Sequence, residues 1–247
     1  MKRKIAFACF AVAALVTVPA MADDAAATGT GTPAATTTTT TETAPATTPA
    51  AAGPAKMSGV EIGLRLGYGI PLGTAYKVGD VESKMSDNTK GRIPIRLDAG
   101  YRINPNFYVG AYFAYGIVMI NKDKTPGCSQ VDCSASSIDF GIMGAYHIMP
   151  DASFDPWVGV GFGLENVTSK IASTSSTIKG LTFLDLQVGG DYKVNNNLGI
   201  GPFVSFALGQ YSSVSSDAGS VTIGDNGSAK AMHEWLTIGI KGSYGIW

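Results

Sequence analysis

From residue 58 onward, apolar and polar side chains alternate with a period of two. Over 59–70, Val60, Ile62, Leu64, Leu66, Tyr68 and Ile70 fall on one face, and Glu61, Gly63, Arg65, Gly67 and Gly69 on the other. A helix would bring together residues three and four apart, so this spacing predicts a β-strand. The alternation recurs over 92–103, 107–119, 137–148, 156–166, 181–192, 198–209 and 234–247. Each predicted strand is near the roughly 9–11 residues with which a tilted strand crosses a bilayer.

The connections alternate as well. Asn104, Pro105 and Asn106 make one tight turn, 194–197 another, and 149–155 a short one. The other four links, about 72–91, 120–136, 167–180 and 210–233, are longer and polar. Short turns at one end and long loops at the other are the mark of an outer-membrane barrel. An even strand number closes an antiparallel ring and leaves no open edge. The expected fold class is all-β: an eight-stranded antiparallel transmembrane up-and-down β-barrel over 58–247, preceded by a disordered linker.

Alternation alone also fits a soluble calyx with the apolar set lining a pocket. Volume separates the two. Each strand carries some five or six large apolar side chains on that face, and an eight-stranded interior is only wide enough to be filled by a few layers. The opposite set is mostly Gly, Ala and Ser with scattered charges, which suits a narrow packed lumen. Tyr68, Tyr101, Phe107, Tyr146, Tyr192 and Tyr244 lie near strand ends, where an interfacial aromatic girdle belongs. The apolar set is therefore expected to meet lipid, and the chain to reside in the outer membrane.

The first 57 residues read differently. Lys2, Arg3 and Lys4 precede an apolar stretch from Ile5 to Val18, then Pro19 and the small-residue site Ala20-Met21-Ala22. This is the pattern of a secretory signal peptide over 1–22, cleaved before Asp23, and it is too short for a membrane-spanning helix. Cys9 leaves with it. Residues 23–57 form a Thr/Ala/Pro-rich tract, including a threonine run from Thr37 to Thr41, with almost no large apolar side chain to offset ordering entropy. A disordered periplasmic linker is expected there.

Composition narrows the chemistry. Eighteen basic residues against nineteen acidic ones leave a formal net charge of -1, which argues against a nucleic-acid partner. Three cysteines and two histidines offer little for a zinc or iron–sulfur centre, so neither metal nor cofactor is expected. In an export compartment, Cys128 and Cys133 are expected to form a disulfide within the second long loop. Asp217, Asp225 and Asn226 in the fourth loop match no calcium-loop spacing.

The inward set carries Glu61, Arg65, Arg92, Arg96, Asp98, Arg102, Asp139, Glu165, Asp185, Asp191 and Lys241. Buried charges must pair or lose their ionisation. The expected arrangement is a lumen ion-pair network that plugs the barrel. Arg65 and Arg96 form its positive centre, with Glu165 and Asp185 as acceptors. His147 also faces inward. Met143, Phe183, Phe203 and Trp235 are the inward apolar residues that would line a passage. No histidine, nucleophile and acid converge in the pattern, so no catalytic residues are expected.

The alternation, strand count, loop asymmetry and Gly-aromatic segments such as Pro156-Trp157-Val158-Gly159-Val160-Gly161-Phe162-Gly163 resemble the small outer-membrane β-barrel proteins. That group includes OmpA-type transmembrane domains and OmpW-like proteins, and the resemblance covers 58–247. It implies a C-terminal assembly signal read by the barrel assembly machinery. Trp247 supplies its terminal aromatic, but Gly245 stands two residues before, and Tyr244 is out of phase. The peptidoglycan-binding domain of longer relatives is not expected after the eighth strand.

Three roles follow. The first is a structural or surface-interaction barrel, partnered by outer-membrane lipid and meeting an extracellular ligand through its long loops. The second is a narrow pore or an OmpW-like passage for small apolar molecules. The third, least supported, is a lipid A-modifying enzyme.

Overall fold

The computed structural model describes residues 58–247, apart from 79, 80, 126, 127, 129, 130, 173, 217, 218 and 224–227. The expected signal peptide and linker lie outside the described residues, as do Asp217, Asp225 and Asn226.

Eight long strands follow one another in antiparallel order: β1 (Gly59–Val78), β2 (Thr89–Arg102), β3 (Phe107–Ile120), β4 (Cys133–His147), β5 (Phe154–Ile171), β6 (Thr174–Lys193), β7 (Leu198–Ser216) and β8 (Met232–Ile246). Strand β1 pairs on one side with β2 and on the other with β8. Val60 stands opposite Tyr101 in the first ladder and opposite Ile246 in the second, which closes the ring. The end with long connections also carries the short strands Val81–Lys84, Gly219–Thr222 and Ser228–Lys230, and a single helical turn, Met85–Asn88.

Two of the tight turns use one device. Asn104 Oδ1 accepts hydrogen bonds from the backbone N–H groups of Asn106 and Phe107, each at 2.9 Å. Asn195 Oδ1 accepts from Asn197 and Leu198, each at 2.8 Å. A short amide side chain that bonds the backbone two and three residues on reverses the chain with little strain.

Period two sorts the faces. Val60, Ile62, Leu64, Leu66, Ile95, Leu97, Phe113, Ile142, Val160, Leu186, Ile238 and Ile240 all point outward and are exposed. So many large apolar side chains on one outer surface far exceed the patch a soluble monomer tolerates. Tyr101, Phe107, Tyr146, Tyr192 and Tyr244 are exposed near the short-turn end.

Two expectations are corrected. The polar connection at 167–180 is the tip of a continuous β5–β6 hairpin, with Val167 opposite Ile178 and Ile171 opposite Thr174. Its many β-branched residues favour extended backbone. Beyond the bilayer neither face has to be apolar, so no period of two marks the extension. Phe183, expected inside, faces outward, while Leu184, expected outside, is half-buried. The register shifts between Thr182 and Leu184 against β7 and between Gly161 and Gly163 against β5. The extra residue of this bulge exchanges the two faces.

Candidate functional site

The interior of the barrel holds the chemistry, stacked in three tiers along its axis. At the short-turn end, Arg102 donates to Glu61 Oε2 through Nε at 2.9 Å and Nη2 at 2.5 Å. Lys241 Nζ donates to Asp191 Oδ2 at 2.9 Å and lies 3.7 Å from Glu61 Oε1. The Trp157 indole N–H donates to Asp191 Oδ1 at 3.0 Å. His147 Nε2 lies 3.1 Å from Arg102 Nη2, and its Nδ1 lies 2.7 Å from Asp155 Oδ2. An arginine only donates, so Nε2 accepts and the ring proton sits on Nδ1, directed at Asp155.

In the middle tier, Arg65 Nε donates to Asp98 Oδ2 at 2.5 Å and Arg96 Nε donates to Asp98 Oδ1 at 2.8 Å. Arg96 Nη1 reaches Asp185 Oδ2 at 2.9 Å. Arg65 Nη1 donates to Gln187 Oε1 at 2.7 Å, and the Gln187 amide N–H donates to Asp185 at 2.6 Å. Aromatic faces cover the cations: Tyr112 lies 3.8 Å from the Arg96 guanidinium carbon and Trp157 5.2 Å from that of Arg65. Fixed donors, acceptors and ring faces thus replace most of the water these charges give up, with Asp185 Oδ1 left buried and without a hydrogen bond.

In the upper tier, Arg92 Nη1 donates to Glu165 Oε1 at 2.9 Å and to Asp139 Oδ2 at 3.1 Å. Glu165 also accepts from the Trp235 indole at 3.0 Å and from His233 Nε2 at 2.7 Å. Tyr211 stacks on the His233 ring, with centroids 3.9 Å apart.

Close backbone approach makes room for the large rings. Trp157 stands opposite Gly189 in the β5–β6 ladder, and a Cβ on that glycine would fall 2.5 Å from the indole. His233 stands opposite Gly209 in the β7–β8 ladder, where a Cβ would lie 2.8 Å from the imidazole. The inward glycines therefore mark where an aromatic crosses the lumen. Between the charged groups, a void of about 50 Å³ borders Arg65, Arg96, Asp139 and Asp185, and another of about 10 Å³ borders Glu61 and Trp157.

Glu61, Arg65, Arg92, Arg96, Asp98, Asp139, Glu165, Asp185 and Lys241 thus all lie inside, each within an ion pair. Asp185 pairs with Arg96 in the middle tier, and Glu165 lies outside that tier. It sits one tier higher and pairs with Arg92. Met143 Sδ lies 3.0 Å from Arg96 Nη2 and 3.5 Å from Arg65 Nη2, the Phe203 ring centroid lies 5.5 Å from the Arg65 guanidinium carbon, and Trp235 belongs to the upper tier. Sequence reasoning assigned no role to Gln187, Asp155, Tyr211 or His233. Trp157 was legible as inward because Val158 and Val160 beside it are outward.

Cys128 and Cys133 are joined by a disulfide in the second long loop. Tyr244 faces outward. Trp247 follows the last strand and donates its indole N–H to the Asn196 carbonyl at 3.0 Å. Among the described residues, no group of three or more His, Cys, Asp or Glu side chains is placed to hold a metal ion.

An apolar exterior, a charged and aromatic interior, and closure by eight strands define a transmembrane β-barrel. The chain belongs to the outer membrane protein beta-barrel domain family, whose model matches residues 8–235, and it resides in the outer membrane. No curated protein sequence matches it significantly. Similar solved structures include Neisserial surface protein A, at 14% identity over 74% of this chain and 95% of that one, with a TM-score of 0.41. The N-terminal barrel domain of Pseudomonas aeruginosa OprF matches at 14% identity over 77% and 98%, with a TM-score of 0.40. Ail, the attachment invasion locus protein of Yersinia pestis, matches at 14% identity over 74% and 97%, with a TM-score of 0.36.

Proposed function

We propose that this protein is a structural and surface-interaction barrel whose lumen is closed to solute by its own ion pairs. The observation that carries this reading is the middle tier, where Arg65, Arg96, Asp98, Asp185 and Gln187 bond across the interior. The void there measures about 50 Å³ and is walled in part by these bonded side chains. Open aqueous channels belong to barrels of about 16 strands. The barrel then serves as a membrane anchor. Its long connections face outward toward an extracellular ligand, and a linker over 23–57 extends into the periplasm once a signal peptide over 1–22 is removed.

Outer-membrane lipid is the partner of the apolar exterior. The C-terminal residues Tyr244 and Trp247 act as the signal read by the barrel assembly machinery. No catalytic role is proposed; His147 and His233 are each buried and hydrogen-bonded to a carboxylate.

Osmotic swelling of proteoliposomes tests closure. With the refolded barrel at high density, vesicles in iso-osmotic glycerol should swell no faster than protein-free vesicles. Swelling that scales with protein content would refute the closed lumen.

A further inference from the structure

Above the upper tier the interior changes character. Apolar residues there include Ala75 on β1, Val118 and Ile120 on β3, Ala135 on β4, Val167 and the partly exposed Ile171 on β5, and Ile178 on β6. With Met85, Tyr211 and Trp235, and the uncharged polar residues Asn88, Thr89, Thr125, Ser169 and Ser176, they surround a cavity of about 290 Å³, and no charged side chain is among the described residues that line it. This is about twice the roughly 150 Å³ of an apolar cavity that stays dry and binds benzene.

The floor is built. Trp235 closes it with its indole N–H turned down to Glu165, and Arg92 lies beneath the ring, 4.2 Å from its centroid. The polar handle of the tryptophan is thus spent on the tier below, and its apolar body faces the cavity. Tyr211 is likewise stacked on His233 and buried.

The roof is built too. Met85 is buried beneath its helical turn. The turn is tied to the second long loop by Lys124 to Asp87 at 2.8 Å and by the Asn121 amide to the Ser86 carbonyl at 3.2 Å. Cys128, held in the disulfide, completes that side.

We infer that this vestibule is a blind binding pocket for a small uncharged aromatic molecule of one or two rings, entering from the cell exterior. A mostly apolar lining of this volume, with only uncharged polar side chains beside it, disfavours a charged guest. Its two ring-bearing residues and one thioether are the groups that favour an aromatic guest. The Arg92–Glu165–Asp139 tier stops the guest from continuing inward. Capture at the outer surface, rather than passage across the membrane, is the consequence.

Methyl-labelled methionine NMR of the full barrel in phosphatidylcholine nanodiscs, titrated with toluene, reads this directly. Single Met→Leu variants assign the resonances. The Met85 methyl should show a ring-current shift that saturates. Met149, exposed at the short-turn end, should drift only in proportion to toluene dissolved in lipid, and Met143 should not move. Ala135→Phe, which fills the cavity, should weaken saturation at Met85 at least about tenfold, as should Val118→Phe. Unboiled gel mobility identifies which filled variant has folded and is to be compared. A linear shift at Met85 matching Met149, or saturation unchanged in a folded filled variant, would overturn the pocket. A shift at Met143 parallel to that at Met85 would overturn its closed floor.

Discussion

Arg65 and Arg96 stand directly opposite each other in the β1–β2 ladder, and Asp98 binds both, one carboxylate oxygen to each guanidinium. Like charges facing across a ladder destabilise a sheet. Asp98 converts that repulsion into a three-membered bridge, and the Arg96 bond to Asp185 extends it to the far wall.

Asp98→Asn should therefore cost more than the loss of either arginine, because it leaves two buried cations facing each other. Breaking a buried pair costs about 3–5 kcal/mol. Urea unfolding in lipid vesicles, followed by tryptophan fluorescence, should place Asp98→Asn in that range. Arg96→Met should lower stability less, since Asp98 retains Arg65 and Asp185 retains Gln187. Equal midpoints for the wild type and Asp98→Asn would contradict the bridge.

Leu64 faces outward near mid-strand, more than half exposed. If lipid covers it, Leu64→Arg should cost about 2–4 kcal/mol, the depth-dependent penalty for a cation at the bilayer midplane. In the same unfolding assay, Ile103→Arg, at the short-turn end, should cost about 1 kcal/mol or less. Similar costs at both positions would argue against a membrane-facing exterior.

The disulfide closes a loop of only a few residues, so it restricts the unfolded chain little. Its removal should cost no more than about 2 kcal/mol by chain-entropy scaling. Reduction should leave the unboiled gel mobility unchanged. Alkylation of denatured, unreduced exported protein should label neither Cys128 nor Cys133.

Outside the membrane, the hydrogen bond from Lys124 holds the Asp87 carboxyl below its ordinary value of 3.8, and Lys90 does the same to Asp123. A depressed folded value means the contact is fully present above the ordinary value and is lost as pH falls through the lower one. Both pairs are exposed, so their effect is local and weakened by salt. The Met85 methyl resonance should stay constant from about pH 7 to pH 5 and move only below the ordinary aspartate value. A transition centred near neutrality would contradict this.

The faces of the strands were legible because lipid outside and packed charge inside impose a strict period of two. Phe183 escaped because a bulge leaves no compositional trace. The hairpin tip around Ile171 and Thr174 escaped because lipid no longer covers its outer face, so apolar side chains need not fall at every second position. Burial identified which residues were charged and inside, but not their partners. Arg65 and Gln187 are 122 residues apart and meet across the lumen. Closure of the ring sets that contact, and no spacing along the chain encodes it.

Planar-bilayer recording most directly tests the claim that ion pairs close the lumen. At about 1 M salt, where a pore of even a few ångströms passes resolvable current, the wild-type barrel should give no steady conductance. Asp98→Asn, with the bridge between Arg65 and Arg96 removed, should give intermittent openings. Steady unitary conductance from the wild-type protein, unaffected by Asp98→Asn, would contradict the account.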